Sequence, residues 1–90
     1  MDKKEIEKYL QEINEEWKVV DDKKISREFR LVNFRQAMDF VKKVADLAED
    51  EGHHPDIHIF YSRVVIELKT HAINGLSEND FILAYKIDQL

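Results

Sequence analysis

The four histidines of this 90-residue chain all fall between positions 53 and 71. Imidazole is the one side chain whose ordinary pKa lets it both give and accept a proton near neutrality. His53-His54-Pro55 follows Gly52 directly, with His58 and His71 further on. Gathered at one end of a sheet, such rings can protonate a departing hydroxyl and remove a proton elsewhere on the same substrate, which is general acid–base catalysis. A purely structural reading has His53 capping carbonyls at a helix end while His54 and His71 pack as loop residues. His54 and His58 also stand four apart, the helical spacing of a metal-binding pair. Pro55 and the alternating pattern after it set them off a helix, where that spacing no longer puts both on one face.

Two carboxylates could serve these rings. Asp80 could orient an imidazole, although three residues after Ser77 it more simply makes a helix N-terminal carboxylate that favours the dipole. Glu49 could hold a histidine or a substrate N–H; solvation near a helix end is the simpler role. No Gly-rich phosphate loop, nucleophile elbow or paired carboxylates occur, so phosphoryl and glycosyl transfer have no support. The absence of cysteine excludes a disulfide frame, a thiol nucleophile and Cys-ligated zinc or iron–sulfur sites. Fourteen Lys and Arg against nineteen Asp and Glu, a net charge of -5, argue against nucleic-acid or anionic-membrane partners. Met1-Asp2-Lys3-Lys4-Glu5 begins no apolar leader, and no apolar run approaches a membrane span, so a cytoplasmic location is expected.

The elements that must position these groups are read from periodicity. With two Gly, one Pro and no linker-like stretch, residues 1–90 are expected to form one domain. Ile6, Tyr9, Leu10 and Ile13 mark a helix from Asp2 to about Asn14. Trp17 and Val19, then Ile25, Phe29 and Leu31, alternate around Asp21-Asp22-Lys23 as two antiparallel strands, with Trp17 and Phe29 in the core. Asn33 and Gln36 form a capping-box pattern that opens a second helix. Its stripe is Phe34, Ala37, Met38, Val41, Val44, Ala45 and Ala48, and Gly52 closes it. Residues 57–61 and 64–70 alternate as a hairpin. A turn at Ser62-Arg63 sets Tyr61 opposite Val64 and extrapolates to His54 opposite His71. After the Asn74-Gly75 turn, Ser77 and Asp80 open a last helix carrying Leu83, Ala84, Ile87 and Leu90. The expected fold is α+β: an αββαββα two-layer sandwich whose four-stranded antiparallel sheet carries the helices on one face. A chain this small gains stability from association, so a homo-oligomer is expected.

Glu49, three spacers, His53-His54-Pro55, then Tyr61, His71 and Asp80 resemble the signature of the pterin-4a-carbinolamine dehydratase family at every spacing. Thr70-His71 and Gly75-Leu76-Ser77-Glu78-Asn79-Asp80 resemble that family's Ser/Thr-His and Gly-Leu-Ser-x-x-Asp stretches, and Trp17, Phe29, Phe34 and Ala37 match its upstream pattern. The resemblance covers roughly residues 13 to 88. It implies the same αββαββα fold in dimers or tetramers, and a hydro-lyase that converts 4a-hydroxytetrahydrobiopterin to quinonoid dihydropterin and water. In that role the chain serves tetrahydrobiopterin recycling beside an aromatic amino acid hydroxylase. It implies His53 and His71 as the acid–base residues and His54 as a pterin-orienting or proton-sharing one. Glu49, Pro55, Ile57, Thr70 and Asp80 line or support the site, with no cofactor and no metal.

The resemblance departs at Ile57, where family members carry Trp, so a flat aromatic wall is replaced by an aliphatic one, and His58 is a candidate partial substitute. Two alternative functions accompany the resemblance. One is a transcription-factor dimerisation role, for which Phe81 and Tyr85 on the last helix are the candidate exposed contacts. The other is action on another pterin, such as a molybdopterin-related compound.

Overall fold

The computed structural model describes residues 1–90. Helix α1 (Lys3–Leu10) is followed by strands β1 (Lys18–Val20) and β2 (Lys24–Arg30), helix α2 (Phe34–Glu51), strands β3 (Asp56–Phe60) and β4 (Arg63–Leu68), a 3-10 turn at His71–Ile73, and helix α3 (Glu78–Asp88). The strands form one antiparallel sheet in the order β1-β2-β4-β3. Because β2 pairs with β4, the connection through α2 carries the chain past β4 to the far edge of the sheet. This is the αββαββα arrangement expected from periodicity.

Local chemistry explains most boundaries. Asp2 accepts from Glu5 N–H and Glu5 returns to Asp2 N–H, so α1 begins with a reciprocal cap. The helix stops at Leu10, short of the expected Asn14, and Asn14 instead gives its N–H to Asp88 at 2.8 Å. Asp21 and Asp22 both hold positive φ (55° and 56°) in the β1–β2 turn, a conformation short polar side chains tolerate. Asn33 caps α2 by accepting from Gln36 N–H, while Gln36 makes no return bond, so the expected box is only half formed.

The β3–β4 turn differs from expectation. Phe60 pairs with Arg63, and the loop is Tyr61-Ser62, with Tyr61 at φ 49°. A bulky aromatic in the left-handed region is uncommon, so residue type alone points away from this turn. Moving a two-residue loop by one position shifts every pair by two. The expected His54–His71 opposition is therefore not formed, and the extrapolated register puts Thr70 across from His53. His71 lies beyond the strand in the 3-10 turn.

The core lies between the helices and one sheet face. Ile25, Val64, Ile66 and Leu68 from the strands are fully buried with Val44, Leu83 and Ile87 from the helices. Trp17 is buried beside Phe29, edge to face at 6.3 Å, as its pattern suggested. Four expectations of burial fail: Phe34, Met38 and Ala45 of the α2 stripe are exposed, as is Leu90. The apolar arc of α2 is wider than the surface its neighbours cover. Phe81, expected to be exposed, is buried because α1 packs on α3 and Tyr9 stacks on its ring at 5.4 Å.

Candidate active site

The site assembles at the junction of the α2 C-terminus, the start of β3 and the start of α3. Gly52 takes the left-handed conformation (φ 64°) that ends α2. Its N–H donates to Glu49 O at 3.3 Å, and His53 N–H donates to Ala48 O at 3.2 Å. The backbone of His53 thus does the helix capping, and its imidazole is released for another partner. That partner is Asp80, across 27 residues of sequence, with Nε2 2.5 Å from Oδ1.

Asp80 is fully buried, and each of its oxygens is occupied. Oδ2 accepts from Thr70 Oγ1–H at 2.9 Å and from Ser77 N–H at 3.0 Å. Thr70 spends its one proton on Asp80, so Ser77 Oγ–H donates to Thr70 across their 2.6 Å contact. Thr70 is itself fixed by Gly75, donating to its carbonyl at 2.8 Å. A buried carboxylate is tolerated only when its lone pairs are met by donors, and this one has three. With Oδ2 accepting twice, Oδ1 accepts from His53 Nε2–H. That bond selects the Nε2–H tautomer and leaves the Nδ1 lone pair free.

Asp80 therefore serves both roles considered for it, reaching back to Ser77 as a helix cap and gripping an imidazole. Ser77 is the participant that sequence reasoning missed. Its signal was the Ser77-x-x-Asp80 spacing, which reads as a cap and leaves the hydroxyl's contact with Thr70 hidden.

The other candidates divide. His54 Nε2 pairs with Glu49 Oε2 at the exposed end of α2, so Glu49 does hold a histidine. Pro55 is half-buried between His54 and β3. His71 directly follows Thr70, is exposed, and its ring makes no hydrogen bond within the chain. Ile57 is half-buried and packs against the core. His58 points to the opposite sheet face, as strand alternation requires, and cannot stand in for an aromatic at Ile57. On that face His58 Nε2 meets Glu67 Oε1 at 2.9 Å, and Lys24 reaches Glu67 Oε2 at 3.0 Å. The His58 hydrogen bond, with Lys24 behind it, holds the Glu67 carboxyl below its ordinary value. No three His, Asp or Glu side chains converge as a metal cluster. The surface concavities include no histidine among their lining residues, so the side-chain network rather than a deep cleft defines this site.

With this geometry in place, comparison with known proteins decides the family. Residues 1–90 match the family described as Pterin 4 alpha carbinolamine dehydratase. The chain belongs to the pterin-4a-carbinolamine dehydratase family. A relative from Alkaliphilus metalliredigens that bears the dehydratase name provisionally is 46% identical over 85 residues, 94% of this chain and 77% of its own length. The mitochondrial pterin-4-alpha-carbinolamine dehydratase 2 of Arabidopsis thaliana is 50% identical over 78 residues, 82% of this chain and 42% of its own. A crystal structure described as a transcriptional coactivator/pterin dehydratase from Brucella melitensis superposes with a TM-score of 0.91 at 32% identity, covering 99% of this chain and 95% of that one. A pterin dehydratase-like protein described as a RuBisCO assembly factor shares the fold, with a TM-score of 0.69 at 23% identity over 81% of this chain and 86% of its own. No helix is long and apolar enough to cross a membrane.

Proposed function

We propose that this chain dehydrates 4a-hydroxytetrahydrobiopterin, or a closely related 4a-hydroxytetrahydropterin, to the quinonoid dihydropterin and water. The observation that carries the reading is the His53–Asp80 pair, a buried carboxylate that fixes one imidazole tautomer and leaves Nδ1 as a proton acceptor. Loss of water breaks the C4a–O bond. The N5–H proton leaves to a base, the N5 electrons form the N5–C4a double bond, and the hydroxyl departs with a proton from an acid. His53 Nδ1 takes the N5 proton. His71, with no carboxylate on its ring, is the donor to the hydroxyl when protonated. His54, braced by Glu49, orients the pterin, with Pro55 and Ile57 as neighbouring contacts and Thr70 supporting Asp80. The chemistry calls for neither a covalent intermediate nor a redox carrier.

On this reading the enzyme is a single-domain, cytoplasmic homodimer or homotetramer that acts after an aromatic amino acid hydroxylase. The test is rapid-mixing absorbance with freshly generated 4a-hydroxytetrahydropterin, comparing wild type, His71→Ala and chelator-treated wild type. Acceleration lost in the variant and kept after chelation is expected. Undiminished turnover by His71→Ala would remove that residue from the mechanism. An inert wild type would overturn this reading and favour action on a molybdopterin-related compound or, failing that, a protein-interaction role.

A further inference from the structure

Away from the histidines, α1 and α3 enclose a concavity of about 330 Å³. Tyr9, Phe81, Ile82 and Tyr85 give it an apolar, largely aromatic wall, and Glu12 and Glu78 stand on the same lining. Tyr9 lies stacked on buried Phe81, whereas Tyr85 is 52% exposed. The one cation on the wall, Lys86, is engaged by Glu51 at 2.9 Å, and neither Glu12 nor Glu78 has a salt-bridge partner. The field in the concavity is therefore negative. Tyr9 reports it: Glu78 foremost, then loss of water, then Glu12 and Glu5, push its hydroxyl above the ordinary 10.0 of a tyrosine.

Aromatic faces and carboxylates select the same ligand charge. A ring face carries negative quadrupole potential that attracts a cation, and uncompensated carboxylates add to it, whereas an anion or a strongly hydrated neutral group gains nothing. The volume is at the lower end of the small-ligand range and does not suit an extended peptide. We propose that the α1–α3 concavity is a binding site for a small organic ammonium ion with an apolar body, taken up as a free molecule. This site involves none of the histidine network and does not depend on the dehydratase reading.

The test is isothermal titration of the intact protein with benzyltrimethylammonium, with benzyl alcohol as the uncharged comparison and a lysine-containing peptide as the protein-borne form of the same charge. Saturable binding of the cation is expected, at least about tenfold tighter than either comparison. Glu78→Gln and Tyr85→Ala should each weaken it about three- to fivefold, while Asp50→Asn on α2, which makes the same charge change away from the concavity, should leave it unchanged. The bound cation should also lower the Tyr9 titration in phenolate absorbance, a response that a contact elsewhere would not produce. Equal binding of benzyl alcohol, tighter binding of the peptide, no saturable binding, or affinity indifferent to both variants would each overturn the assignment.

Discussion

His53 and Asp80 are 27 residues apart in the chain and 2.5 Å apart at Nε2 and Oδ1. The pairing joins the end of α2 to the start of α3, and Thr70 and Ser77 N–H hold the second carboxylate oxygen. Its consequence for chemistry is directional, because the carboxylate accepts on one side of the ring and the other side is left basic.

Replacing Asp80 by Asn tests that direction. Facing His53, its amide nitrogen can only donate to Nε2 and so forces the ring proton onto Nδ1; facing Thr70 and Ser77, it leaves those two donors without an acceptor inside a fully buried position. Denaturant unfolding should show a loss of about 1–3 kcal/mol with unchanged m value. The dehydration rate should fall about 100-fold or more, the usual scale for a misdirected proton-transfer group. A variant of wild-type stability and rate would mean the network is incidental.

The tautomer itself is measurable. Nitrogen NMR of neutral His53 should place the proton on Nε2 and leave Nδ1 bare, and Asp80→Ala should permit a mixture of the two forms. A proton found on Nδ1 in the wild type would reverse the role assigned to the ring.

The Lys24–Glu67–His58 cluster on the open sheet face predicts a pH dependence of stability. The carboxyl of Glu67 is held below its ordinary 4.5, chiefly by the His58 hydrogen bond, so its contribution is present above 4.5 and is lost as pH falls through the lower folded value. Glu67→Gln should therefore reduce stability near neutrality by less than about 1 kcal/mol, since the pair is partly exposed and screened. The difference from wild type should close under acid conditions. A difference that instead widened below 4.5 would contradict the assigned sign.

Ile57→Trp tests the departure from the family pattern. Ile57 is half-buried against the core, so the larger ring partly overpacks and should lower stability by about 1–3 kcal/mol. Its flat face should tighten pterin binding by about two- to tenfold in a fluorescence titration. An unchanged or weaker dissociation constant would place the pterin away from Ile57.

The sequence carried the element order, because period and caps are local signals: Asn33, Gly52 and the Val64–Leu68 alternation mark their boundaries without help from the rest of the fold. The hairpin register was hidden because Tyr61 at φ 49° is a turn residue that type does not advertise. Phe81 looked exposed because its partner Tyr9 sits in another helix. At the site, His53, His54, His71 and Asp80 stood out by spacing and family resemblance. That Asp80 can orient an imidazole is legible from spacing; that the ring is His53's, and that the Ser77 hydroxyl meets Thr70, is not, since tertiary geometry makes both contacts.

The most direct test of histidine-driven dehydration is the single-turnover decay of 4a-hydroxytetrahydropterin with wild type and with His53→Ala, each referred to the spontaneous rate. The wild type should accelerate the decay strongly, and His53→Ala should lose about 100-fold or more of that acceleration. A His53→Ala protein that keeps the wild-type rate, or a folded wild type that leaves the spontaneous rate unchanged, would contradict the account.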